Sequence, residues 1–226
     1  MNISKYHDKG YTGINNLGNT CFINSCLQVL NHTYELSHIL ELVSKKKNNK
    51  GKIEFMNEWL ELKNLMWSNN GVVSPNKIIQ NIHKNSLIKN RELFTGWAQN
   101  DMSDFLLFMI ECIHENLSRK KIIEISGRPI NLIDKKAIIC YTMLKDNYNK
   151  DFSEIKDLFY ATYISEISSI DHTKIYNMKP ELFFILDLPL PEKINIDIYD
   201  CFDELLNLNL LEAIILGSTK IKIFIK

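Results

Sequence analysis

Apolar residues recur every three or four positions through the first half of the chain, which is the period of an α-helix. Four helices are predicted on this basis: residues 20–30, 53–67, a short segment after Ser74-Pro75, and 101–117. The last of these carries the most regular apolar stripe. The polar linker at residues 44–52 separates the first two helices and should lie on the surface.

The pattern changes after Arg119, where short runs rich in Ile, Phe and Tyr alternate with Gly, Pro, Asn and Asp. Such runs are typical of β-strands. Strands are predicted over residues 120–125, 137–141, 159–167 and 182–188, followed by a last short helix over 198–206. Helices first and sheet afterwards indicate an α+β fold rather than an alternating α/β one.

Charge and hydropathy narrow the classes of partner. Lys plus Arg and Asp plus Glu both count 27 in 226 residues, so the net charge is zero. This balance gives no electrostatic reason to expect nucleic acid or an anionic membrane as a partner. No apolar run reaches the roughly 18 to 20 residues of a spanning helix, and the amino terminus lacks a signal-peptide core. We expect a cytoplasmic protein, with the nucleus as an alternative.

The cysteine pattern argues against a disulfide framework. The five cysteines are Cys21, Cys26, Cys112, Cys140 and Cys201. Their number is odd and no two form a CxxC pair, so neither paired disulfides nor a local zinc site is expected. We therefore predict no metal and no cofactor.

One cysteine, Cys21, stands at the start of the first predicted helix, after residue types that cap helices, Asn19 and Thr20. Backbone N–H groups at a helix N-terminus stabilise the thiolate, which is the nucleophilic form. Asn16 carries an amide that the turn could fold back over the sulfur as an oxyanion donor. Taken singly, these residues fit a plain alternative better, in which the asparagines cap and shape a turn and the cysteine is a small buried group.

The whole string decides between these alternatives. Residues 13–28, GINNLGNTCFINSCLQ, closely resemble the cysteine box of the ubiquitin-specific proteases, GLxNLGNTCxMNSxLQ. The matching residues are Gly13, Asn16, Leu17, Gly18, Asn19, Thr20, Cys21, Asn24, Ser25, Leu27 and Gln28. The resemblance implies that Cys21 is the nucleophile of a deubiquitinase and that Asn16 donates to the oxyanion.

A second segment agrees with the first. Residues 94–105, FTGWAQNDMSDF, resemble the family segment that ends QQDAxEF; Gln99, Asp101 and Phe105 match it. Asn100 and Asp104 depart from the usual Gln and Glu, although Asp104 keeps the carboxylate. In the family this segment borders the cleft, and its acidic residues help hold ubiquitin's basic tail. The resemblance therefore implies substrate-binding roles for Gln99, Asp101 and Asp104.

The resemblance extends over most of the chain, because IHENL at 113–117, FFILDLPLP at 183–191 and IYDCFDELL at 198–206 follow the family's order. It implies a papain-like cysteine protease fold in one incomplete domain, 1–226. Residues 11–117 would form a helical thumb, and 118–226 part of the fingers and palm. The implied reaction cleaves after ubiquitin's C-terminal glycine through a thioacyl intermediate, with ubiquitin and ubiquitinated proteins as partners. We expect Cys21 in the first turn of a helix packed against the helix at 101–117.

The catalytic base is not found in the sequence. The six histidines are His7, His32, His38, His83, His114 and His172. None stands in a setting like the family's late GHYxAY box, and the chain stops about where relatives lead into it. We expect a deubiquitinase domain impaired by the absence of its His and Asp/Asn boxes, or a site completed by a second chain. The alternative is a non-catalytic ubiquitin-binding module or pseudo-enzyme.

Overall fold

The chain folds into two compact units, Met1–Ser118 and Arg119–Lys226. In the computed structural model the described residues are 3–44, 54–68, 70–90, 94, 98–169, 173–207, 210–211 and 219–225. Most of the predicted polar linker at 44–52 therefore lies outside the described residues. The assignment of 1–226 to a single domain stays a prediction.

The first unit is mainly helical. Its helices are α1 (Cys21–Asn31), α2 (Tyr34–Ser44), α3 (Glu54–Ser68), α4 (Asn76–Ile88) and α5 (Met102–Leu117), preceded by a 3₁₀ helix at Ile3–Tyr6. Two short strands, β1 (Gly13–Ile14) and β2 (Val72–Val73), pair in parallel. All four predicted helices are confirmed, with starts or ends shifted by one or two residues; α2 was not predicted.

The core of this unit forms where α1 meets α5. The rings of Phe22 and Phe105 meet edge to face with their centroids 5.2 Å apart. Leu27 on α1 and Phe105 on α5 are both fully buried. Full burial of such a side chain contributes about 1.5–3 kcal/mol. The predicted packing of the Cys21 helix against the helix at 101–117 is confirmed.

The second unit combines helices with a four-stranded sheet. Its helices are α6 (Leu132–Asp151), α7 (Glu154–Phe159) and α8 (Ile198–Asn207). Its strands are β3 (Ala161–Ser169), β4 (Ile175–Phe183), β5 (Leu210–Leu211) and β6 (Thr219–Ile225). They are antiparallel and lie in the order β4-β3-β6-β5. The two units together confirm the α+β class.

Alternate residues of β3 are buried, as expected for a strand covered on one face. The buried residues are Thr162, Ile164, Glu166 and Ser168. Helix α6 packs on β3 and β4, and Lys136 near its start forms an ion pair with Glu166 at 2.5 Å. Both partners are at least nine-tenths buried. The inner face of this sheet is therefore partly polar, and an ion pair holds α6 on it.

Two predicted strands are wrong. Residues 137–141 lie inside α6, which begins with a capping box between Asn131 and Asp134 that the sequence reading overlooked. A five-residue apolar run fits a buried helix as well as a strand. Residues 120–125 form no strand, since they run beside α6, where the Lys121 amide donates to the Tyr148 carbonyl at 3.0 Å.

Of the three remaining predictions for this unit, two are confirmed and one is confirmed in part. The strand predicted at 159–167 and the helix at 198–206 correspond to β3 and α8. The strand predicted at 182–188 overlaps β4 only as far as Phe183. Within the described ranges, no helix combines the length and apolar character needed to cross a membrane.

Candidate active site

A tight turn delivers the chain into α1. Gly18 and Asn19 adopt positive φ angles of 105° and 51°, in the left-handed region. Glycine enters this region without steric cost, and asparagine tolerates it better than most residues. After this turn Cys21 is the first residue of α1. The nucleophile predicted from the sequence therefore sits at the very start of the helix.

The side chain of Asn16 organises this turn. Its Oδ1 accepts hydrogen bonds from the Gly18 amide at 3.0 Å, the Thr20 amide at 3.2 Å and the Thr20 hydroxyl at 3.0 Å. These donors fix which end of the amide is oxygen. Asn16 is exposed, and its Nδ2 has no hydrogen-bond partner among the residues described. The donor end of the amide is thus left for a ligand, which is what an oxyanion donor requires.

Thr20 occupies the N-cap position of α1, yet its side chain makes no capping hydrogen bond. Its hydroxyl instead accepts from the Leu17 amide at 3.0 Å and donates to Asn16. Thr20 is therefore the N-cap residue by position, as its type indicates, but its hydroxyl shapes the turn instead of capping the first amides. The first amides of a helix lack intrahelical partners. Without a side-chain cap, those of α1 can stabilise negative charge at Cys21.

The five cysteines differ in their access to solvent. Cys21 is exposed, whereas Cys26, Cys112, Cys140 and Cys201 are buried. Burial raises the pKa of the Cys26 thiol to about 11. Its Sγ donates to the Met102 carbonyl at 3.7 Å. Cys26 therefore stays a thiol at neutral pH and serves to join α1 to the start of α5.

Alkylation should distinguish the exposed Cys21 thiol from the buried Cys26 thiol. Native protein treated with iodoacetamide at pH 7.5 is expected to take up one equivalent, at Cys21, as located by peptide mass spectrometry. Raising the pH toward the Cys26 pKa of about 11 should add a slower second site. Unfolded protein is the control and should react at all five cysteines. Modification of Cys26 before Cys21 in native protein would contradict the assignment.

Two contacts place the end of the second predicted segment, residues 94–105, beside α1. Cys26 reaches Met102, and Phe22 meets Phe105, so the start of α5 lies against α1. Gln99, Asp101 and Asp104 are all exposed there. Asp101 has a further role that sequence reasoning missed: its Oδ1 accepts from the Ser103 amide at 2.8 Å and the Asp104 amide at 3.2 Å. It is the N-cap of α5, and residue type at the helix start was the available signal.

Five of the six histidines lie within the described residues. His7 pairs with Asp8 at 2.6 Å, His38 is exposed on α2, and His114 is buried on α5. His83 on α4 is partly buried, which lowers its pKa. His32 is eleven residues beyond Cys21 on the same helical path, about 16 Å along its axis. Within the described part of the chain no histidine bonds to Cys21; His172 lies outside it.

No cluster suited to a metal is present among the described residues, where groups of three or more His, Cys, Asp or Glu side chains were sought. The predicted absence of a metal site stays a prediction for the chain as a whole.

Comparison with known proteins gives one family. The family model described as ubiquitin carboxyl-terminal hydrolase matches residues 12–215. Human ubiquitin carboxyl-terminal hydrolase 19 is 27% identical over 201 residues, covering 81% of this chain and 14% of that protein. Ubiquitin carboxyl-terminal hydrolase 4 of Pongo abelii is 30% identical over 203 residues, covering 84% of this chain and 20% of that protein. The chain thus spans about a fifth or less of these relatives.

Solved structures share the fold. The SAGA DUB module Ubp8/Sgf11/Sus1/Sgf73 bound to ubiquitin aldehyde matches with a TM-score of 0.63 and 19% identity, over 97% of this chain and 45% of that one. A second structure of this module, bound to monoubiquitin, matches with the same TM-score and 16% identity. These matches confirm the expected α+β, papain-like fold.

Proposed function

We propose, from the premise that this chain belongs to the ubiquitin carboxyl-terminal hydrolase family, that it binds ubiquitin and directs Cys21 at the carbonyl of ubiquitin's C-terminal glycine. The observation that carries the proposal is the turn from Asn16 to Cys21. It combines an exposed thiol at an uncapped helix N-terminus with an amide whose oxygen is occupied and whose N–H₂ is free to donate.

The chemistry follows from these groups. The Cys21 sulfur forms a bond to the glycine carbonyl carbon, and the carbonyl π electrons move onto oxygen. Asn16 Nδ2 and the first amides of α1 stabilise that oxyanion, a contribution of about 10²- to 10³-fold for one donor. Collapse expels the leaving amine and leaves a thioacyl enzyme, which water hydrolyses. Asp101 and Asp104, with Gln99, would attract the basic tail of ubiquitin.

Proton transfer limits this scheme. The thiol must lose its proton and the amine must gain one, tasks that a histidine performs in cysteine proteases. Since no described histidine bonds to Cys21, we propose that hydrolysis by this chain alone is impaired. A second chain supplying the base would restore it. The same observation favours one alternative, a non-catalytic module that only binds ubiquitin.

Ubiquitin aldehyde tests the proposal without requiring turnover. The Cys21 thiol adds to the aldehyde, forming a carbon–sulfur bond, and the oxygen takes up the thiol proton. Wild-type protein should therefore bind ubiquitin aldehyde more tightly than ubiquitin, as measured by calorimetry. Cys21→Ser should lose this preference and keep its affinity for ubiquitin. Binding to neither ligand would overturn the proposal, and equal affinity for both would favour the binding-only alternative.

The acidic residues at the start of α5 give a second test. Asp101→Asn keeps a capping oxygen but removes the charge, whereas Asp101→Ala also removes the cap, at a cost of about 1 kcal/mol. Asp104→Asn removes a charge that makes no cap. Both Asn variants should weaken ubiquitin binding, by a few-fold each, with little change in melting temperature. The effect should shrink as salt rises, because salt screens exposed charges. An unchanged affinity of Asp101→Asn for ubiquitin would show that the Asp101 charge does not contribute to binding.

A further inference from the structure

The chain that leads into the active-site turn is extended and held along one edge by its amides. Residues 10–15 donate from alternate backbone N–H groups toward the segment at 70–73. The bonds are Tyr11 to Asn70 Oδ1 at 3.3 Å, Gly13 to the Gly71 carbonyl at 2.8 Å, and Asn15 to the Val73 carbonyl at 2.9 Å. This edge fixes the distance of the segment from β2.

The carbonyls along the other edge face three side chains of α1 and its C-cap. Asn24 Nδ2 donates to the Asn15 carbonyl at 3.1 Å, and Gln28 Nε2 donates to the Thr12 carbonyl at 2.9 Å. The His32 Nε2 lies 3.1 Å from the Gly10 carbonyl. We call Asn24, Gln28 and His32 the α1 ladder.

The spacing of the ladder has a simple geometric cause. Its members are four residues apart, which is about 6 Å along a helix. Two residues of extended chain cover about 6.6 Å, so each step along the helix meets the carbonyl two residues away. The two-residue spacing holds for Gly10 and Thr12 and is lost at the last step, where Asn24 lies 3.5 Å from the Ile14 carbonyl and 3.1 Å from that of Asn15. The ladder therefore sets the register of residues 10–15 along α1.

His32 at the end of the ladder is exposed, yet its ring has close neighbours. The imidazole Nδ1 lies 2.8 Å from the Gln28 carbonyl, and the ring packs on Trp67 with centroids 5.1 Å apart. Gly10 has a φ of +89°, and a Cβ there would lie 2.7 Å from the Trp67 ring and 3.1 Å from His32 Nε2. Only glycine fits this position. Gly10 lies outside the family match, which begins at residue 12, whereas His32 lies inside it.

We infer that His32 is a positioning residue: as the last member of the α1 ladder it fixes residues 10–15 along α1, and thereby places Asn16 on the turn that carries Cys21. It acts through Asn16 and does not touch the reacting atoms. The inference rests on the proposed function for its effect on chemistry, but its effect on the turn stands on geometry alone. A misplacement of about 1 Å at such a group can cost roughly 100-fold.

Two substitutions separate hydrogen bonding from packing. His32→Leu keeps an apolar side chain against Trp67 but removes the ring nitrogens. His32→Gln supplies a side-chain amide that can donate to the Gly10 carbonyl, as Gln28 donates to that of Thr12. The leucine variant should therefore show the effects below, and the glutamine variant should largely recover the wild-type values.

Amide hydrogen exchange measures the turn directly. In His32→Leu the Gly18 and Thr20 amides, which donate to Asn16, should exchange about 3- to 10-fold faster, the effect of losing about one hydrogen bond. The Ser103 and Asp104 amides, which donate to Asp101, are the internal reference and should not change. Unchanged exchange at Gly18 and Thr20, or equal acceleration at all four amides, would overturn the inference.

Binding of ubiquitin aldehyde measures the consequence for chemistry. His32→Leu should reduce the preference for ubiquitin aldehyde over ubiquitin by roughly 10-fold or more, with ubiquitin affinity unchanged. In an Asn16→Ala background the same substitution should have no further effect, because His32 acts through Asn16. Additive losses would overturn this route. If wild-type protein shows no preference, the proposed function fails, and the exchange rates still decide whether His32 positions the turn.

Discussion

Hydrolysis of a ubiquitin C-terminal amide reporter by this chain alone is expected to be about 10²- to 10⁴-fold slower than by the catalytic domain of a relative, the contribution of a missing general base. Cys21 is exposed, and Asn16, its proposed oxyanion donor, lies on the turn that precedes it. The helix N-terminus stabilises the thiolate by only about 0.3–1 kcal/mol in exposed settings, far less than a histidine supplies. Steady-state rates under matched conditions give the comparison.

Added imidazole provides the control for this explanation. If only the base is missing, millimolar imidazole should raise the rate in proportion to its concentration, and Cys21→Ser should show no such response. Asn16→Ala should lower both the basal and the rescued rate, because it removes the oxyanion donor. A rate near the roughly 10 s⁻¹ that is typical of enzymes, without imidazole, would show that a base already reaches Cys21.

Replacing Glu166 by glutamine is expected to destabilise the second unit by about 3–5 kcal/mol, the cost of leaving one member of a buried ion pair without its partner. Lys136 and Glu166 are 9% and 5% exposed. The Nζ of Lys136 lies 2.5 Å from Oε2 of Glu166. The substitution preserves shape but removes the charge that compensates the buried ammonium. Urea denaturation followed by circular dichroism measures the free energy of unfolding.

Two controls accompany this measurement. The exposed pair of Lys84 and Glu54, 2.6 Å apart, should behave differently. Glu54→Gln should change stability by no more than about 1 kcal/mol, because solvent screens exposed pairs. The double variant Lys136→Met with Glu166→Leu should recover most of the loss, since apolar side chains of similar size avoid the desolvation cost. A loss below about 1 kcal/mol in Glu166→Gln would contradict the burial of this pair.

Local sequence was sufficient for four of the five helices of the first unit and for the placement of Cys21 at a helix start. The helical period of α1 and α5 predicted both elements and the faces that pack together, because an apolar stripe must be buried. The position of Cys21 followed from a glycine and an asparagine just before an apolar helix, which is a local signal. These features depend on neighbours within a few residues, and the sequence displays such neighbours directly.

The tertiary structure decided whatever depends on distant partners. Residues 137–141 fit a strand or a helix by pattern; the capping box at Asn131 favours the helix, and the pairing of Lys136 with Glu166 shows which face of that helix covers the sheet. The contact of His32 with Gly10 was not predicted, because Gly10 lies 22 residues earlier in the chain. Asn24 and Gln28 were visible in the motif, yet the carbonyls that they hold became apparent only in three dimensions. A hydrogen bond between such segments requires both to be placed, and no periodicity in either one encodes where the other will lie.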